Sequence, residues 1–251
     1  MEKQGNSAPE SQHVNYAAPT DSASGKQAPL GIFPAKKLEL ERLKPVAMGA
    51  HNFVFIHPDD PSLVVKVIKP AMRYENQKKL PLRRRLFRRF KHHKDFLRTV
   101  TEHIASYVKA GPRPSFLQRF YCLIETDYGL ASVTKAERDK EGNFAPTLRR
   151  LLRDGKFDDK AQAALENFFE EFLKSDVIIS DIHNIDNLVY SYDEEKDTSR
   201  FIVIDGLGES TLLPFCAYFK IFNRLQKLRK IKKMRKAIAT TLATKPDTER
   251  S

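Results

Sequence analysis

The feature that most constrains this chain is the stretch 178–209, where a polar turn rich in carboxylate and amide side chains leads into two strand-like segments. The first segment follows Asn187, and the second, at 201–204, ends at Asp205. If the two segments pair as a hairpin, Asn187 lies near Asp205. Mg²⁺ on nucleotide phosphates accepts carboxylate and amide oxygens and keeps several waters. The pattern therefore predicts Asn187 and Asp205 as the magnesium ligands of a kinase-like nucleotide site.

The composition is that of a globular protein with one substantial core or two small ones, since 41% of the 251 residues are hydrophobic and 10% are aromatic. The chain has no apolar run as long as a membrane span, and its first thirty residues contain no apolar block. We therefore expect a cytoplasmic protein. Cys122 and Cys216 are isolated in apolar surroundings, so no disulfide or zinc motif is expected.

The positive charge is concentrated in two blocks. The chain has 44 basic and 32 acidic residues, a net charge of +12, and the blocks lie at 78–94 and 220–236. The second block contains nine bases and no acid. Such blocks are either solvated helix faces or binding surfaces for phosphate-bearing substrates, anionic lipid or nucleic acid.

The terminal basic block has a helical pattern with an apolar arc. We expect a helix at about 212–242, and the arc comprises Phe215, Phe219, Phe222, Leu225, Leu228 and Ile231. An ordinary packed helix accounts for the arc, but the bases favour peripheral contact between 220–236 and the inner face of an anionic membrane. Nucleic acid is the weaker candidate, because no helix-turn-helix, finger or aromatic stacking motif accompanies the bases.

The periodicity of the chain predicts an α+β fold in two lobes. We expect disordered tails at 1–33 and 243–251, a β-rich lobe at 34–136, and a mainly helical lobe at 137–242. The predicted strands lie near 38–46, 53–56, 63–68, 120–125 and 129–133, with a turn at 47–52. The predicted helices lie at 82–109, 147–153 and 160–174. The first helix is expected to face inward through Leu97, Val100 and Ile104.

Lys66 is the one interior charge of the apolar segment 63–68. Such a lysine either extends to the edge of its sheet or binds an anion. In kinase folds a strand lysine holds nucleotide phosphates beneath a phosphate-covering turn. Here that turn would contain Gly49 and His51, which we assign to nucleotide binding together with Lys66, although a single glycine is a weak signal.

The order of turn, Lys66, helix, hairpin, linker, helices, Asn187 and Asp205 resembles the protein-kinase-like fold. The string Gly208-Glu209-Ser210-Thr211-Leu212-Leu213-Pro214 after Asp205 is similar to a hallmark of the YrbL family, the PhoP regulatory network proteins of bacteria. Four further strings match that family in the same order: Gly49-Ala50-His51, His57-Pro58-Asp59, Val65-Lys66-Val67 and Glu125-Thr126-Asp127. The resemblance covers roughly residues 38–234.

This resemblance implies a kinase-like domain with Lys66 at the phosphate-binding position, Asn187 and Asp205 at the metal positions, and 133–136 at the adenine-facing hinge. Kinase-like phosphotransferases place their catalytic aspartate five positions before the metal-binding asparagine, which here is Ile182. Asp181 lies one residue earlier. A bulge in the loop would bring the Asp181 carboxylate into reach as the catalytic base.

Two further features depart from the kinase pattern. The first predicted helix has no acidic residue on its inward face to pair with Lys66, since helical spacing turns Asp95 and Glu102 away from that face. Leu207 also stands in the Asp205-Gly206-Leu207 string, where kinases usually have an aromatic residue and then glycine. His183 is interpreted as a turn-capping residue in preference to a catalytic one.

Three functions remain open from the sequence. The first is an ATP- and Mg²⁺-dependent phosphotransferase acting on a hydroxyl of an anionic, envelope-related sugar or of a protein, with Asp181 as catalytic residue. The second is a degenerate pseudokinase that serves as a regulatory or membrane-associated scaffold, which the Asp181 spacing and the missing helix carboxylate favour. The third, a nucleic-acid-binding protein built on a kinase-like platform, has the least support. Fold analogy cannot choose among them, because sites carry the chemistry.

Overall fold

A computed structural model of the chain describes residues 37–49, 51–70, 93–108, 114–208 and 220–243. These residues form a five-stranded antiparallel sheet with one helix beside it, followed by a two-stranded sheet and three helices. The predicted α+β class is therefore confirmed. The sequence-predicted tails fall outside the described residues, except that the last helix includes Ala243.

The larger sheet contains β1 (Ala47–Met48), β2 (Asn52–Ile56), β3 (Leu63–Ile68), β4 (Phe120–Thr126) and β5 (Gly129–Lys135), in the order β1-β2-β3-β5-β4. Val65 and Val67 of β3 are fully buried in its core, as expected for β-branched residues in a central strand. Lys66 lies between them in sequence and pairs with Val54 on one side and Ser132 on the other. Its side chain therefore points to the opposite face of the sheet from both valines.

The start of the fold differs from the prediction. Residues 38–46 were predicted as a strand, but within them Leu38 makes an isolated bridge to Thr126, and β1 lies inside the predicted turn. The Asp127 carboxylate accepts hydrogen bonds from the backbone N–H groups of Leu40 and Glu41 at 2.8 and 2.7 Å. A side chain thus satisfies donors that a strand would have paired with another strand.

The first helix, α1, spans Lys94–Val108, while the predicted residues 82–92 lie outside the described part of the chain. Its predicted inward face is confirmed for Val100, which packs against the cluster of Ile68, Phe96 and Leu123, but is wrong for Leu97 and Ile104, which are 40% and 57% exposed. Phe96 is buried instead and packs with β3 and β4. His103 is also buried and stacks on Phe120 with 5.5 Å between ring centroids. These two aromatic contacts fix the rotation of the helix.

The second part of the chain contains α2 (Leu148–Arg153), α3 (Asp159–Lys174), β6 (Leu188–Asp193), β7 (Thr198–Val203) and α4 (Lys220–Ala243). The Thr147 and Asp158 side chains cap α2 and α3 by accepting backbone N–H groups inside each first turn. The core of this part is built around stacked and edge-to-face phenylalanine rings, namely Phe116, Phe168 and Phe172. Among the described helices, none is long and apolar enough to span a membrane.

The predicted apolar arc of α4 is only partly buried. Ile231 packs in the core, but Leu225 and Leu228 are exposed, and Phe215 and Phe219 lie outside the described residues. The Lys227 side chain occupies the inner face instead and is 2% exposed. Its ammonium donates to the carbonyl oxygens of Phe172 and Ser175 at the C-terminal end of α3. A cation at this end of a helix offsets the partial negative charge of the last carbonyls, which explains why a lysine is buried here.

Candidate functional site

Lys66 points into a cleft between the larger sheet and the segment that follows β7. Its Nζ donates to the backbone oxygen of Ile204 at 2.5 Å and to Oε1 of Gln118 at 3.1 Å. Burial of the ammonium lowers the pKa of Lys66, and the nearby carboxylates of Asp205 and Glu137 raise it partly back. The amine is thus buried and held by two neutral oxygens, with two acids nearby that favour its charged form.

The cleft around Lys66 is narrow, with a cavity volume of about 30 Å³, which leaves room for about two water molecules. The sheet contributes polar groups from Asn52 and Ser132 to its lining, and α1 contributes Phe96, Thr99 and His103. The remaining lining residues are Gln118, Thr134, Val203, Ile204, Asp205 and Leu207. Apart from Asp205, the described side chains that line the cavity contain no carboxylate.

The polar turn before β6 is held by its own backbone and by the segment after β7. Ser180 N–H donates to Gly206 O at 2.8 Å, and Asn184 N–H donates to Asp181 O at 3.2 Å. The Asn187 side-chain Nδ2 donates to the same Asp181 carbonyl oxygen at 3.1 Å. Asp181 and Asn187 are therefore fixed relative to each other through main-chain atoms, while the Asp181 carboxylate is left half-exposed.

Gly206 brings the two strand ends together. It has φ of +80°, and a Cβ built on it would lie 3.1 Å from Asn187 Nδ2 and 3.1 Å from Asp181 Cβ. On the other side, the Asp205 Oδ1 accepts the Gly206 N–H at 2.7 Å. Glycine is required here both by its left-handed backbone and by the close approach of these neighbours. The absence of a side chain lets Asp181, Asn187 and Asp205 sit around one point.

The hairpin pairing expected from the sequence is present. Leu188 pairs with Val203, and Ile204 N–H donates to Asn187 O at 3.0 Å, so Asn187 lies opposite the residue that precedes Asp205. Lys66 and Asp205 line the same cleft. Of the residues singled out by sequence, Lys66 and Asp205 thus line one cleft, whereas Asp181 and Asn187 lie next to Gly206 without lining the cavity. Their roles as ligands and base stay predictions.

The remaining residues assigned to nucleotide binding lie less centrally. Gly49 and His51 belong to the β1–β2 turn, where Gly49 N–H donates to Asn52 O at 2.9 Å, and neither residue lines the cavity. Asn52, at the start of β2, does line it. His183 Nε2 lies 3.3 Å from Asp181 Oδ1, at the exposed side of the polar turn. Among the described residues, no cluster of three or more His, Cys, Asp or Glu side chains suits a metal ion.

Two buried residues near Lys66 were missed by sequence reasoning. Gln118 accepts from Lys66 and donates through Nε2 to Lys135 O at 2.7 Å, so it links the lysine to the end of β5 and to the predicted hinge at 133–136. Glu137 accepts a hydrogen bond from Ser191 Oγ at 2.8 Å, and burial raises the pKa of its carboxyl group. Gln118 is a single amide after two apolar residues, Phe116 and Leu117, and such a pattern is a weak indication of a buried site residue. Glu137 lies in the stretch 135–143, which its charged residues and glycine indicate as a linker between the two predicted lobes, and that interpretation hid its burial.

Of the two acidic residues of α1, Glu102 has a described side chain, and it binds the chain ahead of the polar turn. Glu102 of α1 accepts a hydrogen bond from Ile178 N–H at 3.1 Å, which directs its carboxylate toward the segment before the polar turn. The cleft face of α1 presents Thr99 and His103 toward the site. The Asp95 side chain lies outside the described part of the structure. Lys66 is instead held by Gln118 and Ile204.

The comparison with protein-family models gives one match, to the family described as PhoP regulatory network protein YrbL, over residues 38–239. The chain belongs to this family. The match begins at Leu38, which bridges to the larger sheet, and ends inside α4, so it includes the described elements except the last four residues of α4. No curated protein matches the chain in sequence. Membership of the YrbL family does not by itself assign a reaction to the cleft.

Proposed function

We propose that the chain binds Mg-ATP in the Lys66 cleft, in a protein-kinase-like arrangement of the larger sheet and the helical part, and transfers the γ-phosphoryl group to a hydroxyl. One observation carries this proposal: Lys66 and Asp205 line one cleft, and Gly206 places Asp181 and Asn187 next to Asp205. A buried lysine beside a carboxylate and an amide is the donor set that a magnesium nucleotide requires.

The residues of the cleft fit this ligand chemically. Lys66 supplies a desolvated cation for phosphate oxygens, and Asp205 and Asn187 supply hard oxygen ligands for Mg²⁺, which neutralises phosphate charge when bound. A cavity of about 30 Å³ does not accommodate a nucleotide. Binding therefore requires the β3 and α1 side to move away from 203–207, with nucleotide phosphates replacing the Ile204 and Gln118 oxygens around the ammonium.

Asp181 is the proposed base. Its carboxylate is half-exposed next to Gly206 and is within 3.3 Å of His183 Nε2. In the proposed step the acceptor hydroxyl oxygen bonds to the γ-phosphorus, the bond between that phosphorus and the bridging oxygen breaks, ADP leaves, and the hydroxyl proton passes to Asp181. The acceptor class is a hydroxyl of an anionic, envelope-related sugar or of a protein, and the basic block at 78–94 would attract it.

ADP formation by the full chain tests transfer directly. Wild-type protein is incubated with Mg-ATP and panels of hydroxylated sugars and serine-containing peptides, beside the variants Asp181→Asn and Asp186→Asn. Asp186 is a matched control, because its carboxylate pairs with Arg149 at 2.8 Å. Acceptor-dependent ADP formation that falls at least about a hundredfold in Asp181→Asn and persists in Asp186→Asn supports the proposal.

A second candidate is a pseudokinase scaffold. The observation in its favour is that the Lys66 ammonium is already satisfied by Ile204 and Gln118, in a cleft that is nearly closed. It predicts the same background rate of ADP formation in wild type and Asp181→Asn with every acceptor. Equal rates would therefore rule out phosphoryl transfer by the chain. The protein would then be a scaffold, either with a bound nucleotide or without one.

A further inference from the structure

The outward face of α4 combines exposed aliphatic side chains with bases that form no ion pair within the described part of the chain. Ile221, Leu225 and Leu228 are 76%, 48% and 47% exposed. At about 100° per residue, positions 221, 225, 228 and 232 fall within about 60° of one another around the helix. The first two turns of this face are therefore apolar, and Lys232 continues the same stripe into the basic half of the helix. We call this stripe and the bases beside it the outer face of α4.

Eight bases of α4 have described side chains, and three of these, Lys227, Lys230 and Arg235, have partners in the rest of the fold. Lys227 and Lys230 turn inward, where Lys227 binds Phe172 O and Ser175 O and Lys230 binds Ile179 O at 2.7 Å. Arg235 pairs with Glu166. The exposed bases Arg224, Arg229, Lys232, Lys233 and Lys236 form no ion pair with any described carboxylate. The inward lysines thus fix α4 on the core and leave five cations directed to solvent.

The buried contacts of α4 keep its outer face exposed to solvent. Asn223, Lys227, Ile231 and Met234 form the buried side of α4, so the helix cannot rotate to hide its exposed leucines without losing these contacts. Exposed aliphatic side chains in helical register normally have a partner surface. Here that partner must accept both apolar side chains and a cluster of positive charge.

We propose that the outer face of α4 is a docking surface for an anionic membrane. Ile221, Leu225 and Leu228 would enter the boundary between headgroups and acyl chains, and Arg229, Lys232 and Lys236 would lie among anionic headgroups. The charge complementarity favours this occupant over a second copy of the chain, because two copies would bring like charges together, each in a chain of net charge +12. Nucleic acid would satisfy the bases but leave the aliphatic side chains without a partner. This surface is separate from the Lys66 cleft and does not depend on the function proposed for it.

Vesicle sedimentation of the full chain tests the proposal. The probe is a vesicle with roughly 30% phosphatidylglycerol in phosphatidylcholine, compared with pure phosphatidylcholine. Two α4 variants separate the contributions: Leu225→Ser with Leu228→Ser removes the apolar part, and Arg229→Glu with Lys232→Glu and Lys236→Glu reverses the charge. The matched control, Lys156→Glu with Lys160→Glu and Lys196→Glu, changes the net charge equally at exposed positions outside α4. Circular dichroism shows that each variant is folded.

We expect wild type and the control to bind anionic vesicles, more weakly as salt rises, and both α4 variants to bind at least about tenfold less. Weak binding to pure phosphatidylcholine in every variant is also expected. Equal binding by the charge-reversed α4 variant and the control would overturn the proposal. Two other results would also overturn it. One is a concentration-dependent dimer of the wild-type chain that is lost in Leu225→Ser with Leu228→Ser. The other is binding of duplex DNA that depends on α4 while vesicle binding does not.

Discussion

At the scale of single residues, the site depends on groups that sequence patterns identify by type but cannot place. Lys66 stands out because a charge interrupts an apolar strand, and Asn187 and Asp205 because they border strands. Their meeting depends on Gly206, whose φ of +80° brings Asn187 and Asp181 within 3.1 Å of where a Cβ would be. No sequence pattern reports such a distance.

Gly206→Ala should destabilise the protein and disturb the site. A Cβ at φ of +80° costs about 1 kcal/mol or more, and crowding against Asn187 and Asp181 adds about another 1 kcal/mol. Gly142→Ala is the matched control, since Gly142 has φ of +81° with no atom within 4 Å. Urea unfolding should therefore show a larger loss for Gly206→Ala than for Gly142→Ala. Equal losses would mean that Gly206 is required by its backbone alone.

The buried carboxyl group of Glu137 should make the stability of the protein depend on pH. Burial raises the pKa of its carboxyl group above the ordinary value of 4.5. Its contribution to stability is therefore complete below that value and is lost as pH rises through the folded-state pKa, because the unfolded chain ionises first. Glu137→Gln is neutral throughout and still accepts the Ser191 hydroxyl.

The melting temperature of Glu137→Gln relative to wild type should consequently increase over the pH range from about 4.5 upward. Thermal unfolding across this range measures the difference. Glu141→Gln, at an exposed linker position, is the control and should show no comparable trend. A flat difference for Glu137→Gln would contradict the burial of an ionisable carboxyl group at this position.

At the scale of elements, the sequence identifies strands better than helix faces. The segment 63–68 and the hairpin at 120–135 are read from β-branched runs and turn residues, and the structure has them as β3, β4 and β5. The buried face of α1 was predicted only in part: Val100 packs inward, but Leu97 and Ile104 of the same stripe are exposed, and the tertiary partners select Phe96 and His103. A stripe defines possible faces, and only packing against another element chooses one.

Alanine substitution of single side chains tests which face of α1 is buried. Phe96→Ala should cost about 3–4 kcal/mol, because its ring is buried against Ile68 and Leu123. Leu97→Ala, at the neighbouring exposed position, should cost less than about 1 kcal/mol. Urea unfolding of both variants gives the comparison. A larger loss for Leu97→Ala would restore the face predicted from the sequence stripe.

The junction of α3 and α4 depends on Lys227. Its ammonium binds Phe172 O at 2.7 Å and Ser175 O at 2.6 Å and lies 4.5 Å from the centroid of the Phe172 ring. Lys227→Met keeps the length of the side chain but leaves these carbonyl oxygens without their donor, which should cost about 2–3 kcal/mol. Lys233→Met, on the exposed side of the same helix, should change stability by less than about 0.5 kcal/mol. Similar unfolding free energies for the two variants would refute the capping role.

At the scale of the whole molecule, the chain joins an antiparallel sheet to a helical part through contacts that cross the cleft. Lys66 of β3 binds Ile204 of the segment after β7, and Gln118 joins Lys66 to Lys135. The class, the element order and the family could be predicted from the sequence, because local periodicity and short motifs carry them. The closure of the cleft could not, since it depends on distances between residues up to 138 positions apart.

Calorimetric titration of the full chain with Mg-ATP tests whether the Lys66 cleft binds a magnesium nucleotide. The proteins are wild type, Lys66→Met, Asp205→Asn, and Asp59→Asn as a control carboxylate in the exposed β2–β3 turn. The account predicts saturable binding by wild type and Asp59→Asn, weakened at least about tenfold by Lys66→Met and by Asp205→Asn, because each removes one charge that the phosphates or the metal contact. Absence of binding by folded wild type, or equal affinity in all four proteins, would contradict it.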